Sequence, residues 1–283
     1  MRLFLFLIVF IQFVNSWNII PHKKINIQKI RVNIWDNNQF NNDKFISFTP
    51  GGIYGFYTLG IASYIIDTYD ISNYSYIGAS AGAWNSLVCC YKYDTKVFID
   101  KLLKQEFLTG NTIQIQYGLY NYLIDNYSTD DFNLHKLNIC ITEFNSILDV
   151  RSSIISNFTN LKQALYCCMV SSHIPYITSD TFIKYYDGKI VFDGGLLHFP
   201  PYNLYSHIVI SPNKYTFELL GNFFFNMVNK KSINNKMIRD LYYKGYTDGE
   251  KDSDNLEIVF NPIYKYINIE DNEFTIDTIK LNR

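Results

Sequence analysis

A serine flanked by small residues lies at the centre of the segment Gly78-Ala79-Ser80-Ala81-Gly82. The pattern G-x-S-x-G is typical of a tight turn between a strand and a helix that presents a serine hydroxyl as a nucleophile. Residues 74–77 can form a short strand, and the apolar residues 83–90 are compatible with a helix. The motif therefore has the context that nucleophilic catalysis by Ser80 requires, although the same pattern also arises by chance in globular chains.

A second glycine-rich segment, Gly51-Gly52-Ile53-Tyr54-Gly55, follows the apolar run 44–48 and precedes a helix-like stretch. A serine that attacks an ester builds negative charge on the carbonyl oxygen, and backbone N–H groups fixed in advance usually stabilise that charge. A glycine-rich turn that begins a helix supplies such donors, and the positive end of the helix dipole assists them. The predicted members of this oxyanion hole are Gly51, Gly52, Ile53 and Gly55. The alternative is an ordinary strand–helix turn.

The third glycine-bearing segment is Asp193-Gly194-Gly195. A serine hydroxyl is a poor nucleophile at neutral pH and needs a base. Asp193 follows the apolar run 190–192, so a strand would carry its carboxylate to an edge of the sheet, where Gly194 and Gly195 would let the backbone approach the serine. The alternative is a turn residue, since Asp-Gly is common in turns.

Alternating strand and helix patterns surround these three segments. Strands are predicted at 44–48, 74–77, 137–144, 147–155, 182–186, 189–192 and 207–210, and helices at 56–69, 83–90, 94–106, 119–124 and 160–170. Asp94 and Asn160 are predicted helix N-caps. Asp187-Gly188 between two strand runs predicts a two-residue hairpin. The alternation predicts an α/β sandwich with a mostly parallel sheet.

The two ends of the chain are predicted to extend a central domain of residues 44–212. Residues 17–43 are polar and Asn-rich, and residues 213–283 are predicted to be a mostly helical extension with one strand-like run at 256–260. Within the extension, the aromatic stretch 217–225 favours a core helix over a membrane contact.

The first sixteen residues resemble a secretory signal peptide. One arginine precedes the apolar run 3–14, and Val14-Asn15-Ser16 is a small-residue cleavage site. The run is shorter than the roughly 20 apolar residues of a spanning helix. Residues 1–16 therefore predict a protein of the secretory pathway; an uncleaved membrane anchor and a buried first element are the alternatives.

Composition excludes some classes of partner. The 283 residues carry a net charge of −1, so no basic excess is available to neutralise phosphates, and we expect no nucleic-acid partner.

The cysteines are odd in number, two pairs are adjacent, and no spacing resembles a zinc site or a disulfide framework. They are Cys89, Cys90, Cys140, Cys167 and Cys168. We expect them to be small buried side chains, and we expect no metal or other cofactor.

The order of the three segments resembles that of the patatin-like phospholipase family: a glycine-rich loop, then G-x-S-x-G, then D-G-G. The resemblance covers roughly residues 44–212 and is closest to the adiponutrin-type lipases, whose elbow is similar to Ala79–Ala83. Two segments differ from the family pattern, Pro50-Gly51 and Leu196-Leu197-His198, and these differences concern substrate orientation more than the dyad.

The resemblance implies a fold and a mechanism. The fold would be a three-layer α/β/α sandwich, and the catalytic group would be a Ser–Asp dyad without histidine. Ser80 would be the nucleophile, Asp193 the base, and the backbone around Gly52 the oxyanion hole. The substrates would be fatty-acyl esters of phospholipids or acylglycerols at a membrane or lipid-droplet surface, hydrolysed without a cofactor.

Two other functions remain open from the sequence. A Ser–Asp–His esterase would add His198 or His207 to the dyad, in the chain order of the α/β-hydrolases. A catalytically weak or inactive protein on the same fold would only bind lipid surfaces.

Overall fold

A computed structural model describes residues 44–146, 149–197, 206–212 and 233–261 of the chain. The predicted leader, the polar N-terminal extension and the aromatic stretch 217–225 lie outside these ranges. Among the helices within them, none is both long enough and apolar enough to cross a membrane.

The strands in the described ranges belong to one sheet. They are β1 (Lys44–Phe48), β2 (Tyr74–Ala79), β3 (Leu137–Ser146), β4 (Asp149–Ile155), β5 (Lys184–Tyr186), β6 (Lys189–Phe192) and β7 (Ile208–Ile210). Their order is β5-β6-β3-β2-β1-β7, and β4 pairs additionally with β3.

The predicted α/β class is confirmed, but the prediction of a mostly parallel sheet is wrong because the sheet is mixed. β1 pairs in parallel with β2 and β7, and β2 pairs in parallel with β3. The pairs β3–β4, β3–β6 and β5–β6 are antiparallel. The short connections within β3–β4 and β5–β6 can join only antiparallel strands, since a parallel pair needs a crossover of a dozen or more residues.

The hairpin predicted at Asp187-Gly188 is present between β5 and β6. Tyr186 and Lys189 are opposite each other in the register. The φ angles of Asp187 and Gly188 are 48° and 75°, and two positive φ angles are what a tight hairpin turn of this type requires.

The helices in the described ranges are α1 (Gly55–Thr68), α2 (Ala81–Cys89), α3 (Thr95–Leu102), α4 (Thr112–Asn126), α5 (Leu161–Ser171), α6 (Asn235–Lys251) and α7 (Ser253–Phe260). Together with the mixed sheet that they flank, they are compatible with an α/β sandwich. Both predicted N-caps are confirmed: the side chain of Asp94 accepts from the Val97 N–H, and that of Asn160 accepts from the Gln163 N–H, each at 2.9 Å.

Three helices differ from the predictions. Helix α3 ends at Leu102, four residues before the predicted end at 106. Helix α4 begins seven residues before the predicted 119–124, because Asn111 and Gln114 form a capping box at its start. The strand-like run 256–260 is part of helix α7. A Leu256 N–H to Asp252 O bond of 3.1 Å closes the first turn of this helix. An apolar run this short does not distinguish strand from helix by periodicity.

The C-terminal helix α6 packs directly on α1. An added Cβ at Gly60 would lie 2.0 Å from the Tyr242 carbonyl oxygen, and one at Gly245 would lie 1.9 Å from the Tyr57 carbonyl oxygen. The two backbones therefore approach as closely as glycine allows. Since α1 directly follows the glycine-rich loop, α6 supports the helix that holds this loop.

Candidate active site

The two strands that precede Ser80 and Asp193, β2 and β6, meet with their C-terminal ends at one edge of β3. β4 occupies the opposite edge of β3, so β2 and β6 both pair with the same edge. The last residue of the parallel strand β2 pairs with Cys140, and the last residue of the antiparallel strand β6 pairs with Thr142. The strands therefore end on either side of Ile141, and the residues that follow them are Ser80 and Asp193.

Ser80 has the backbone of a strained elbow. Its φ of 55° and ψ of −125° are a combination that non-glycine residues rarely adopt, and such outliers concentrate at functional sites. An added Cβ at Gly78 would lie 2.0 Å from the Gly82 carbonyl oxygen, and one at Gly82 would lie 2.1 Å from the Phe48 carbonyl oxygen. Both positions therefore require glycine, and the spacing of the motif has a steric cause.

Asp193 is fixed by its backbone and by one carboxylate oxygen. Its side chain is nearly inaccessible, and the residue is 3% exposed. Its N–H donates to the His173 carbonyl at 2.9 Å, and its carbonyl accepts from the Thr142 hydroxyl at 2.8 Å. Oδ1 accepts from the Gly195 N–H at 2.8 Å, whereas Oδ2 is buried with no hydrogen-bond partner among the described residues. One carboxylate oxygen is thus held and the other is available.

Burial raises the pKa of Asp193 to about 6, while the Ser80 hydroxyl and the Gly195 N–H act in the opposite direction. The Ser80 side chain is close enough to affect this pKa, yet no hydrogen bond reaches Oδ2 within the described part of the chain. Contacts between a nucleophile and its base are often long before substrate binds. A carboxylate with this pKa is charged at neutral pH and is a stronger base than an exposed aspartate.

The two glycines after Asp193 allow close approaches to β3 and to Pro50, whereas the sequence predicted that they would let the backbone approach the serine. An added Cβ at Gly194 would lie 2.0 Å from the Cys140 carbonyl oxygen on β3. One at Gly195 would lie 2.1 Å from Cγ of Pro50, at the start of the glycine-rich loop. The D-G-G segment therefore packs against β3 through Gly194 and lies beside the glycine-rich loop at Gly195.

The glycine-rich loop forms a single 3-10 turn over Gly52–Tyr54. Gly52 has a φ of 51°, which favours glycine. The Tyr54 N–H donates to the Gly51 carbonyl at 3.0 Å, but the N–H groups of Gly52 and Ile53 donate to nothing within the described ranges. These two groups are therefore free to stabilise an oxyanion.

Gly55 does not have the role that the sequence predicted, which was to donate its N–H to the oxyanion. Its N–H is already used, because it donates to the carbonyls of Gly52 and Ile53. An added Cβ there would lie 2.7 Å from Cβ of Ala81, so glycine is needed for packing. This contact places the N-termini of α1 and α2 side by side, with both positive helix ends at the site.

The histidines of the described ranges do not form a triad with the dyad. Nε2 of His207 lies 3.0 Å from the Val259 carbonyl oxygen, and the backbone N–H of His207 donates to the Phe45 carbonyl. Phe45 is near the start of β1, whereas Ser80 follows the far end of the neighbouring strand β2. Burial lowers the pKa of His173 to about 4, and its ring stacks on Phe192. His198 lies outside the described residues.

The five cysteines of the chain all lie in the described ranges. All five cysteines are free and buried, as predicted, and burial raises the pKa of each thiol. In the described ranges, no group of three or more His, Cys, Asp or Glu side chains could hold a metal ion.

Two supporting residues, Asn85 and Thr142, have no local signal in the sequence. The Asn85 amide donates to the Gly55 carbonyl at 2.9 Å and to the Thr58 hydroxyl at 2.8 Å, which fixes α2 against α1. Thr142 holds the Asp193 carbonyl across 51 residues of sequence. Neither residue belongs to a recognisable motif, and only the fold brings them to the site.

No protein-family model matches the chain, and no curated protein matches it either. The case for a function therefore depends on the geometry of the site and on the order of the three glycine-bearing segments.

Proposed function

We propose that the protein is a serine-dependent lipid acyl hydrolase of the patatin-like type, acting through a Ser80–Asp193 dyad. The observation that supports this most is the pairing of a strained serine elbow with a buried aspartate at the meeting point of two strands. The free oxygen of Asp193 and the free N–H groups of the glycine-rich loop add to it. The three-layer patatin-like fold is part of the same proposal.

The first half of the reaction forms an acyl-enzyme. Oδ2 of Asp193 accepts the proton of the Ser80 hydroxyl as Oγ attacks the ester carbonyl carbon. The N–H groups of Gly52 and Ile53 donate to the oxyanion of the tetrahedral intermediate, assisted by the two helix N-termini. When the intermediate collapses, the C–O bond to the alcohol breaks and Asp193 returns the proton to the departing alcohol.

The second half hydrolyses the acyl-enzyme. Asp193 accepts a proton from a water molecule, and the water oxygen attacks the carbonyl carbon of the Ser80 ester. The C–O bond to Ser80 breaks, Asp193 protonates Oγ, and the fatty acid leaves. The pKa of about 6 suits this role for two reasons. The carboxylate is charged at neutral pH, and its pKa is close enough to neutral pH for it to accept a proton during the reaction.

The choice of lipid esters follows from the patatin-like resemblance of the three segments. Phospholipids and acylglycerols are the substrates that it implies, and a membrane or lipid-droplet surface is the place where they would be met. The position of His207 favours the dyad over a triad through that residue.

The proposal is tested by acyl release from a panel of phospholipids, triacylglycerols and a short water-soluble ester. The variant is Ser80→Ala, and Ser86→Ala is a matched control. Ser86 is a fully buried serine of helix α2, which follows Ser80, and its hydroxyl has no partner among the described residues. We expect wild type and Ser86→Ala to release fatty acid, and Ser80→Ala to be slower by at least about 10³-fold.

The panel separates the parts of the proposal. Equal rates for wild type and Ser80→Ala on every ester contradict the catalytic role of Ser80. Ser80-dependent hydrolysis of the soluble ester alone contradicts the lipid substrate class and leaves the dyad in place.

A further inference from the structure

Ser171, the last residue of helix α5, contacts both segments that carry the dyad. Its hydroxyl oxygen accepts the Ser80 N–H at 2.9 Å, and the same hydroxyl donates to the Cys140 carbonyl at 2.6 Å. Its main-chain carbonyl accepts the N–H of Gly194, next to Asp193, at 2.8 Å. Ser171 itself is completely inaccessible to solvent.

These bonds fill the gap between the ends of β2 and β6. The pairing of β2 with β3 ends at Cys140, so the N–H of Ser80 has left the strand ladder and needs another acceptor. The Ser171 hydroxyl supplies that acceptor and also satisfies the Cys140 carbonyl. A side chain therefore continues the connection between β2 and β3 where the backbone of Ser80 turns away.

We propose that Ser171 is a positioning residue that holds the strained backbone of Ser80 and fixes its separation from Asp193. The inference rests on the proposed dyad. The hydroxyl of Ser171 has one proton, and that proton is donated to Cys140. Ser171 therefore acts through the backbone of Ser80 and carries no proton between the two members of the dyad.

The adjacent serine provides a matched control. Ser172 is also buried, and its hydroxyl oxygen accepts the indole N–H of Trp84 at 3.0 Å. Ser171→Ala and Ser172→Ala each remove one hydroxyl and leave one buried N–H donor without its acceptor, and Ser171→Ala also removes the donor to the Cys140 carbonyl. Only Ser171→Ala releases the backbone of the nucleophile.

The experiment measures kcat and KM on the best ester substrate for wild type, Ser171→Ala, Ser172→Ala and Ser171→Thr. It also measures the rate of Ser80 phosphonylation by a fluorophosphonate, under conditions where urea titrations show each variant to be folded. We expect Ser171→Ala to lower kcat and the phosphonylation rate by about 10- to 100-fold with KM within about threefold of wild type, since a shift of about 1 Å has effects of this size. Ser172→Ala is expected within about threefold of wild type, and Ser171→Thr, which keeps the hydroxyl, should recover most of the loss.

Each pattern has a distinct meaning. Equal losses in the two alanine variants, or full activity of Ser171→Ala, overturn the positioning role while the dyad stands. An unchanged kcat with a raised KM also overturns it. A wild-type protein that neither hydrolyses esters nor reacts at Ser80 overturns the proposed function and this inference together.

Discussion

Two Asp-Gly sequences six residues apart, Asp187-Gly188 and Asp193-Gly194, have different surroundings in the same fold. Asp187 and Gly188 are exposed at the tip of the β5–β6 hairpin. Asp193 and Gly194 lie buried at the other end of β6, against the backbone of β3. Strand β6 therefore has a turn at each end, and only one of them is at the candidate active site.

The local structure of the two segments is more alike than their surroundings. Asp193 also begins a turn, because its carbonyl accepts the Leu196 N–H at 3.1 Å and its Oδ1 accepts the Gly195 N–H. Asp193 is thus a turn residue as well, and the turn does not compete with the role of a base. Burial and the neighbouring Ser80 are what distinguish Asp193, and both come from distant parts of the chain.

The largest expected contrast is catalytic. Asp193→Asn should lower kcat/KM by about 10²- to 10⁴-fold, because the amide cannot accept the Ser80 proton. Its oxygen can still accept from the Gly195 N–H, so the turn should be retained. Asp187→Asn should retain wild-type activity, since asparagine tolerates the positive φ of this turn. The test is to measure kcat/KM for ester hydrolysis by the two variants in parallel. Equal values would contradict the assignment of Asp193 as the base.

The same pair of variants should differ in stability. Folding buries the Asp193 carboxyl with a raised pKa, so its contribution to stability is present below pH 4 and is lost as pH rises through about 6. The loss is on the order of 3 kcal/mol in the free energy of unfolding, and Asp193→Asn should not show it.

Urea unfolding near pH 4 and near pH 7.5 measures this difference. We expect Asp193→Asn to gain stability relative to wild type between the two pH values, whereas Asp187→Asn should follow wild type within about 0.5 kcal/mol. An Asp193→Asn protein that follows wild type at both pH values would show that the buried carboxylate carries no such cost.

The two glycines provide the next contrast. Gly194→Ala places a Cβ 2.0 Å from the Cys140 carbonyl, a backbone atom of the central strand, and should destabilise the fold by about 3 kcal/mol. Gly188→Ala meets no atom within 4 Å and only acquires an unfavourable φ of 75°, which costs about 1 kcal/mol. Urea midpoints measure both losses. A smaller loss for Gly194→Ala than for Gly188→Ala would mean that Gly194 does not approach β3 so closely.

The smallest expected effect is on the pH profile. Because the base must be ionised, kcat/KM should rise through about pH 6 and be about tenfold lower near pH 5 than on the plateau above pH 7. Asp187→Asn should keep this inflection, whereas the residual activity of Asp193→Asn should lack it. A flat wild-type profile, or an inflection that persists without Asp193, would assign the titration to another group.

The sequence predicted the features that depend on neighbouring residues. The caps at Asp94 and Asn160, the hairpin at Asp187-Gly188 and the turn at Ser80 all follow from a few adjacent side chains and their backbone preferences. The order of the three glycine-bearing segments also indicated which side chains could act together.

The features that the sequence did not predict depend on distant contacts. The mixed sheet brings β2 and β6 to one edge of β3, and no local pattern specifies that pairing. The support of Ser80 by Ser171 spans 91 residues, and the engaged N–H of Gly55 depends on how the loop closes. The short apolar run in α7 is helical, and its periodicity alone does not distinguish a helix from a strand.

The most direct test of the dyad is phosphonylation by a fluorophosphonate probe, followed by mass spectrometry of the intact protein and of its peptides. We predict one probe group per wild-type chain, attached to Ser80, with no labelling of Ser80→Ala and much slower labelling of Asp193→Asn than of Asp187→Asn. An unlabelled wild-type protein, a probe group on another residue, or equal labelling rates for the two aspartate variants would contradict the account.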